Sequence, residues 1–227
     1  MLLLASMERI KLPGVIWRAI CMFNVVIATA FVSMLISNPA VASPVRILVL
    51  GDSLASGYGL PADQAFPVRL EAALRQRGHK VRLINAGVAG DTTAGGRARL
   101  DWALAERPDL AIVELGANDG MRGIDPKATR ANLDAILTRL KSRGVRILLA
   151  GMLAPPNMGE EFGREFNGVF PGLAKFHGVA FYPFFLDGVA ARHGFNQPDG
   201  IHPNARGVAV IVDRILPYVV RLLKSLE

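Results

Sequence analysis

Two hydrophobic patterns alternate along the chain from Val45 onward. Short runs of aliphatic and β-branched residues are typical of buried strands, whereas apolar residues recurring every three or four positions are typical of amphipathic helices. The pattern predicts strands over residues 45–50, 81–85, 110–115, 145–150 and 179–182. Helices are predicted over residues 66–76, 95–106, 127–142 and 161–176, with a last helix from Pro203 towards the C-terminus.

Strands that alternate with helices favour βαβ units and a parallel sheet. We therefore expect a three-layer α/β/α domain with a five-stranded, flavodoxin-like parallel sheet in the strand order 2-1-3-4-5. Gly78 and Gly144 stand where two predicted helices should end, as left-handed C-caps require. Pro203 suits the first position of the last helix and keeps the preceding His202 out of helical geometry.

The first 42 residues have the organisation of a secretory signal peptide. Three basic residues near the start precede a stretch from position 19 to position 45 that contains no charged residue. Ala40-Val41-Ala42 then gives the small-x-small pattern that signal peptidase recognises. We predict cleavage after Ala42, export to the periplasm or medium, and a mature domain over residues 43–227. The alternative is an uncleaved N-terminal membrane anchor, because about 18 apolar residues are the lower limit for spanning a bilayer.

Charge and cysteine content exclude several classes of function. Removal of residues 1–42 lowers the net charge of +7 by two, because it removes three basic residues and one acidic residue. The remaining arginines are dispersed without interleaved aromatics, so nucleic-acid binding is not expected. The single cysteine, Cys21, lies in the predicted signal peptide, so the mature chain has no thiol for a disulfide or a metal site. No other metal-binding spacing occurs, and we predict neither a metal nor a cofactor.

Candidate catalytic residues follow the first three predicted strands. Ligands of open α/β sheets bind outside the carboxyl ends of the strands. In the expected strand order, Ser53 after the first strand has Gly90 on one side and Asn118 on the other. Serine attack on an ester creates an oxyanion, which needs preorganised donors. Three such donors could come from the N–H groups of Ser53 and Gly90 and from the Asn118 amide.

Asp199 and His202 supply the remaining parts of a serine-hydrolase triad. Asp199 precedes His202 by three residues in a tight segment, so its carboxylate can accept the Nδ1 proton and leave Nε2 to activate Ser53. The other histidines, His79, His177 and His193, have no acid placed by sequence to orient them. Two acids near the site, Asp52 and Glu114, are interpreted as structural.

Two motifs of other protein families are not matched by this sequence. The Gly51-Asp52-Ser53-Leu54-Ala55 segment is not the G-x-S-x-G nucleophile elbow of α/β-hydrolases. Ser56-Gly57-Tyr58-Gly59 lacks the third glycine of a dinucleotide fingerprint, and the second strand ends in Asn85 instead of an acid.

Four blocks in order resemble the GDSL or SGNH hydrolase family, particularly its bacterial thioesterase I, lysophospholipase L1 and arylesterase branch. The blocks are Gly51-Asp52-Ser53-Leu54, Gly90 in Ala89-Gly90-Asp91-Thr92, Gly116-Ala117-Asn118-Asp119, and Asp199-Gly200-Ile201-His202-Pro203. The resemblance implies that Ser53 is the nucleophile, Asp199 and His202 the acid and base, and Ser53, Gly90 and Asn118 the oxyanion hole. It also implies that the loop 151–159 forms part of the substrate wall. The alternative is that this loop packs on the last helix.

By this resemblance the expected reaction is cofactor-free hydrolysis of a small acyl ester, thioester or lysophospholipid, with transient contact to membrane lipid. Two alternatives remain. A carbohydrate or cell-envelope O-deacetylase would use the same five residues on a short acyl group. An exported lipid-binding module would retain the residues without catalysis.

Overall fold

The computed structural model describes residues 43–226. The predicted signal peptide lies outside them. Five strands form one sheet: β1 (Val45–Gly51), β2 (Val81–Gly87), β3 (Leu110–Glu114), β4 (Arg146–Ala150) and β5 (Ala180–Tyr182). All adjacent strands pair in parallel, in the order β2-β1-β3-β4-β5. The predicted α/β architecture and strand order are confirmed.

Eight α-helices and three short 3-10 turns connect the strands within the described residues. The helices are α1 (Ser53–Ser56), α2 (Phe66–Gln76), α3 (Thr93–Ala98), α4 (Leu100–Leu104), α5 (Ala117–Met121), α6 (Pro126–Ser142), α7 (Glu160–His177) and α8 (Ala205–Lys224). Helices α2 and α8 pack against one another, as α6 does with α3 and α7. These two groups cover the sheet. None of the helices in residues 43–226 is both long and apolar enough to cross a membrane.

The hydrophobic pattern of the central strands follows from burial on both faces. Ile47 to Leu50 of β1 are fully buried, and so are all five residues of β3. A parallel strand covered by helices on both sides has no solvent face, so its sequence is continuously apolar instead of alternating. Glu114 at the end of β3 is the exception, and it lies beside the candidate site.

The predicted helix over residues 95–106 is wrong as a single element. The segment forms α3 and α4, with a break at Arg99, whose backbone has φ −101° and ψ 5°. The Arg99 guanidinium donates to Asp91 and to the backbone oxygens of Ala86 and Gly51, at 2.6 to 2.8 Å. These partners lie at the carboxyl ends of β1 and β2. We attribute the helix break to the contacts with them, because tertiary contacts routinely override local helix propensity.

The start of the last helix also differs from the prediction. Helix α8 begins at Ala205, and the Asn204 side chain caps it by accepting from the Arg206 and Gly207 N–H groups at 3.0 Å. Pro203 therefore lies before the helix instead of at its first position, and it forms an isolated bridge with Asn196. An Asn cap satisfies otherwise unpaired helix N–H groups. His202 is still held outside the helix, as expected.

Candidate active site

Ser53 lies where β1 ends and the short helix α1 begins. Asp52 caps this helix, since its Oδ1 accepts the Leu54 N–H at 2.9 Å. The Ser53 side chain is thereby presented at the carboxyl end of the sheet, where α/β proteins bind ligands. Asp52 shapes the turn as the sequence suggested.

His202 contacts both Ser53 and Asp199. Its Nε2 lies 2.9 Å from Ser53 Oγ, and its Nδ1 lies 2.6 Å from Asp199 Oδ2. An ionised carboxylate only accepts, so Nδ1 carries the proton and Nε2 is left as the acceptor for the serine hydroxyl. The structure thus brings the three residues predicted from sequence into one hydrogen-bonded chain.

Asp199 is held as a carboxylate by three donors. Its Oδ1 accepts the backbone N–H groups of Ile201 at 2.9 Å and of His202 at 3.0 Å, in addition to the side-chain contact at Oδ2. The hydrogen bond from the His202 side chain, followed by these N–H groups, lowers the Asp199 pKa to about 2. The acid of the candidate triad is therefore ionised at any pH at which the protein would work.

Gly90 lies on the loop after β2, and Asn118 lies on the short helix α5 after β3. Val88 donates to the Gly51 oxygen at 3.1 Å, which ties the Gly90 loop to the end of β1. Gly90 has φ 81°, a conformation in the left-handed region that glycine adopts without a Cβ penalty. Asn118 is buried, and its Nδ2 donates to Asp52 Oδ2 at 3.0 Å. Each Nδ2 carries two hydrogens, so one remains for a substrate oxygen.

An apolar cavity of about 440 Å³ opens beside Ser53. The loop after β4 contributes Met152, Leu153 and Ala154 to its wall. Met121 of α5 and Ile201 also line it. The first part of the loop 151–159 therefore lines the cavity. The end of this loop does not line the cavity, because the Met158 methyl lies against Gly123 instead.

Residues 49–210 match the GDSL-like Lipase/Acylhydrolase family. The chain belongs to this family. An arylesterase of Vibrio mimicus is 37% identical over 179 residues, which cover 78% of this chain and 90% of that protein. The Escherichia coli K12 protein named thioesterase 1/protease 1/lysophospholipase L1 is 38% identical over 168 residues, 74% of this chain and 79% of that protein.

A solved structure shares both fold and sequence with this GDSL hydrolase. The crystal structure of AlinE4, a SGNH-hydrolase family esterase, is 46% identical and covers 81% of this chain and 99% of that chain, with a TM-score of 0.68. The family resemblance drawn from the four sequence blocks is thereby confirmed.

Two carboxyl groups of the GDSL hydrolase are buried next to the nucleophile. Glu114 Oε2 accepts the Asp52 N–H at 3.3 Å, whereas Oε1 has no hydrogen-bond partner among the described residues. Burial, and then the charge of Asp52, raise the Glu114 pKa well above its usual range. Burial also raises the Asp52 pKa to about 6, against the opposing hydrogen bonds from Leu54 and Asn118. Ionisation of both carboxyl groups is disfavoured, because it would bury two negative charges close together.

Sequence reasoning missed three side chains that hold the site loops together. Arg99 forms a half-buried ion pair with Asp91, next to Gly90, and donates to the Gly51 oxygen ahead of Ser53. Gln197 donates through Nε2 to the Tyr58 oxygen at 2.8 Å and so joins the loop after α1 to the segment that carries Asp199 and His202. Arg122 donates to the Gly90 oxygen at 2.9 Å and lies 3.5 Å from Asn118 Oδ1. Each of the three has a partner that is remote in sequence, at 48 positions for Arg99 and Gly51, 139 for Gln197 and Tyr58, and 32 for Arg122 and Gly90, so no local spacing indicates these contacts.

His177 corrects the interpretation of the other histidines. The sequence placed no acid to orient this histidine, but the His177 side chain is buried and its Nε2 lies 2.7 Å from Asp134 Oδ1. Lys141 donates to the His177 backbone oxygen at 2.6 Å. These contacts join α6 to α7, so the pair is structural. Among residues 43–226, no three His, Cys, Asp or Glu side chains cluster closely enough to hold a metal ion.

Proposed function

We propose that this GDSL-family hydrolase is a serine esterase in which Ser53 is the nucleophile, His202 the general base and Asp199 the residue that orients the base. The unbroken chain of short contacts from Asp199 through His202 to Ser53 carries the proposal. Such a chain activates a hydroxyl that is otherwise a weak nucleophile at neutral pH.

The proposed reaction has two halves. Ser53 Oγ attacks the substrate carbonyl carbon while its proton moves to His202 Nε2. The tetrahedral intermediate then expels an alcohol, phenol or thiol, which takes that proton, and leaves an acyl-enzyme. Water then attacks the acyl-enzyme while His202 accepts one of its protons. The second tetrahedral intermediate collapses to the carboxylic acid as His202 returns that proton to Ser53 Oγ, which restores the free enzyme. Asp199 stabilises the imidazolium formed in each half.

The oxyanion is proposed to bind the N–H groups of Ser53 and Gly90 and the free Nδ2 hydrogen of Asn118. Within residues 43–226, the Gly90 N–H has no protein acceptor, so it is available to a ligand. Donors that are fixed before the reaction cost no reorganisation when charge develops, which is why they lower the barrier.

The substrate is proposed to carry an apolar acyl chain of medium length. The cavity wall beside Ser53 is built from methionine, leucine, alanine and proline side chains. Each buried methylene contributes about 0.8 kcal/mol to binding until the cavity is filled. The names of the relatives, an arylesterase and a thioesterase/lysophospholipase, agree with ester and thioester substrates. Half-exposed Leu153 and Ile201 at the cavity could contact lipid when a lysophospholipid binds.

The decisive test compares Ser53→Ala with Ser56→Ala. Ser56 lies one turn along α1 and donates to the Ser53 backbone oxygen at 3.2 Å, so it matches the local structure without taking part in the triad. Hydrolysis of aryl esters and acyl thioesters should fall by about 10³ to 10⁶ in Ser53→Ala, as loss of a triad member does. Ser56→Ala should remain within a few-fold of wild type. Retention of a tenth of the wild-type rate by folded Ser53→Ala would refute the nucleophile.

A further inference from the structure

One guanidinium nitrogen joins the loop after β2 to the helix α5 after β3. Arg122 Nη2 donates to the Gly90 backbone oxygen at 2.9 Å and lies 3.5 Å from Asn118 Oδ1. We propose that Arg122 is a positioning residue that holds the two oxyanion donors in register for one substrate oxygen. The inference rests on the proposed function of Gly90 and Asn118.

Helical spacing places Arg122 over Asn118. Arg122 caps the C-terminus of α5, and its backbone N–H donates to the Asn118 oxygen at 3.1 Å. Residues four apart on a helix lie on the same face. The Arg122 side chain therefore reaches Asn118 within its own helix, and it reaches Gly90 on the neighbouring loop with the same nitrogen.

The Asn118 amide is fixed at both ends. Its Nδ2 donates to the Asp52 carboxylate, and its Oδ1 faces the Arg122 guanidinium. A flipped amide would turn its oxygen towards the carboxylate and its NH₂ towards the cation, and both contacts would be repulsive. Arg122 and Asp52 therefore select the orientation that leaves one Nδ2 hydrogen for the oxyanion.

Gly90 needs an external constraint because glycine readily adopts either sign of φ. Arg122 binds its carbonyl oxygen, while the next residue, Asp91, is paired with Arg99 at 2.6 Å. With the peptide that carries this carbonyl fixed, rotation about the Gly90 backbone is limited and its N–H keeps one direction. Loss of the guanidinium would free the loop without removing either donor.

The experiment measures kcat and KM of Arg122→Met with a neutral aryl ester, beside Arg82→Met as the control. Both arginines are exposed, but Arg82 lies at the start of β2, at the amino ends of the strands and away from the candidate site. Arg122→Met should lower kcat by about 10- to 100-fold and leave KM within twofold of wild type. This decrease is smaller than the roughly 10²- to 10³-fold decrease in kcat that follows the loss of a whole oxyanion donor. Arg122→Lys should be intermediate, because an ammonium can still bind the Gly90 oxygen. Arg82→Met should match wild type.

A double mutant tests whether Arg122 acts through Asn118. The combined Arg122→Met and Asn118→Ala variant should lose less than the product of the two single losses, since the residues share one function. Multiplied losses, unchanged kcat in Arg122→Met, or a raised KM at constant kcat would each overturn the inference. Fluorophosphonate labelling distinguishes a failure of the positioning role of Arg122 from a failure of the proposed nucleophile. Labelling at Ser53 with normal kcat in Arg122→Met defeats only the positioning role, whereas absence of labelling in the wild type defeats the proposed nucleophile.

Discussion

Asn118 donates to the Asp52 carboxylate at 3.0 Å across 66 positions of the chain. The acid of the Gly51-Asp52-Ser53-Leu54 block therefore has two tasks, because it caps α1 through Leu54 and orients a proposed oxyanion donor. The same carboxylate is fully buried, and burial raises its pKa to about 6. Its contribution to activity and its cost to stability are thus coupled.

Asp52→Asn is expected to lower kcat while relieving a pH-dependent cost to folding. In the native state the pKa is raised from 3.8 to about 6, so the stability that the group contributes below pH 3.8 is lost as pH rises through about 6. About two pH units correspond to about 3 kcal/mol. The free energy of unfolding of the variant, relative to wild type, should therefore increase between pH 4 and pH 7. Turnover should fall roughly tenfold, because Asn118 loses one hydrogen-bond acceptor.

Urea unfolding from pH 4 to pH 8 measures the stability difference, with Asp63→Asn as the control for an exposed aspartate. The stability difference of the control gives the baseline for removing one surface carboxylate. A constant difference for Asp52→Asn across this range would show that burial does not shift this carboxyl.

Gly90→Ala and Gly78→Ala form a matched pair of backbone substitutions. Gly90 has φ 81° and Gly78 has φ 84°. An alanine at either position would hold a left-handed backbone conformation, which destabilises the folded state by about 1 to 2 kcal/mol. Nothing lies within 4 Å of a Cβ at Gly78, and only Arg122 Nη2, at 3.7 Å, lies near one at Gly90. Both variants should melt at lower temperature, but only Gly90→Ala should lose turnover, by 10-fold or more. Equal activity of the two would remove Gly90 from the oxyanion hole.

His202→Ala should lose about 10³- to 10⁶-fold in kcat, since it removes the base of the proposed triad. Asp199→Asn should lose less, because His202 keeps its contact with Ser53 but not the carboxylate that orients it. His193→Ala is the control, because His193 is exposed outside the triad. Steady-state kinetics with an aryl ester would measure all three. Activity that survives in His202→Ala would mean that another group activates Ser53.

Asp199 itself should produce no step in the pH–rate profile between pH 4 and pH 9, because its pKa is about 2.

Leu153→Ser should reduce the preference for longer acyl chains. Leu153 lines the cavity and is 48% exposed, so a bound chain would cover it. The ratio of kcat/KM for a decanoyl ester to that for an acetyl ester should fall about fivefold, equivalent to about 1 kcal/mol of lost apolar contact. Val68→Ser is the control, since Val68 is 46% exposed on α2 and does not line the cavity. Strict preference of the wild type for acetyl groups would favour the O-deacetylase instead.

Export with cleavage after Ala42 is expected from the basic start, the apolar stretch and Ala40-Val41-Ala42. Intact-mass measurement of protein recovered from the periplasm or medium should give a chain that begins at Ser43. Ala42→Pro should block processing, whereas Ser43→Ala keeps the Ala40-Val41-Ala42 pattern and serves as the control. Full-length protein found only in membranes would support the anchor.

The sequence alone determined the order of elements and the identity of the proposed triad. Strand and helix periodicities are local, and Asp199 and His202 lie three residues apart, so short stretches of chain contain this information. Parallel pairing then brings the carboxyl ends of the strands together, which made Ser53, Gly90 and Asn118 neighbours in the predicted order.

Only the tertiary structure decided the contacts that hold these residues in place. Arg99 breaks a predicted helix because its partners lie at the ends of β1 and β2, up to 48 positions away. His177 pairs with Asp134 on another helix, and Arg122 reaches Gly90 32 positions away. A long polar side chain can pair with any remote atom that folding brings within about 3 Å, and no local pattern specifies which. Burial is likewise a property of the packed core, which is why the raised pKa values of Asp52 and Glu114 emerge only there.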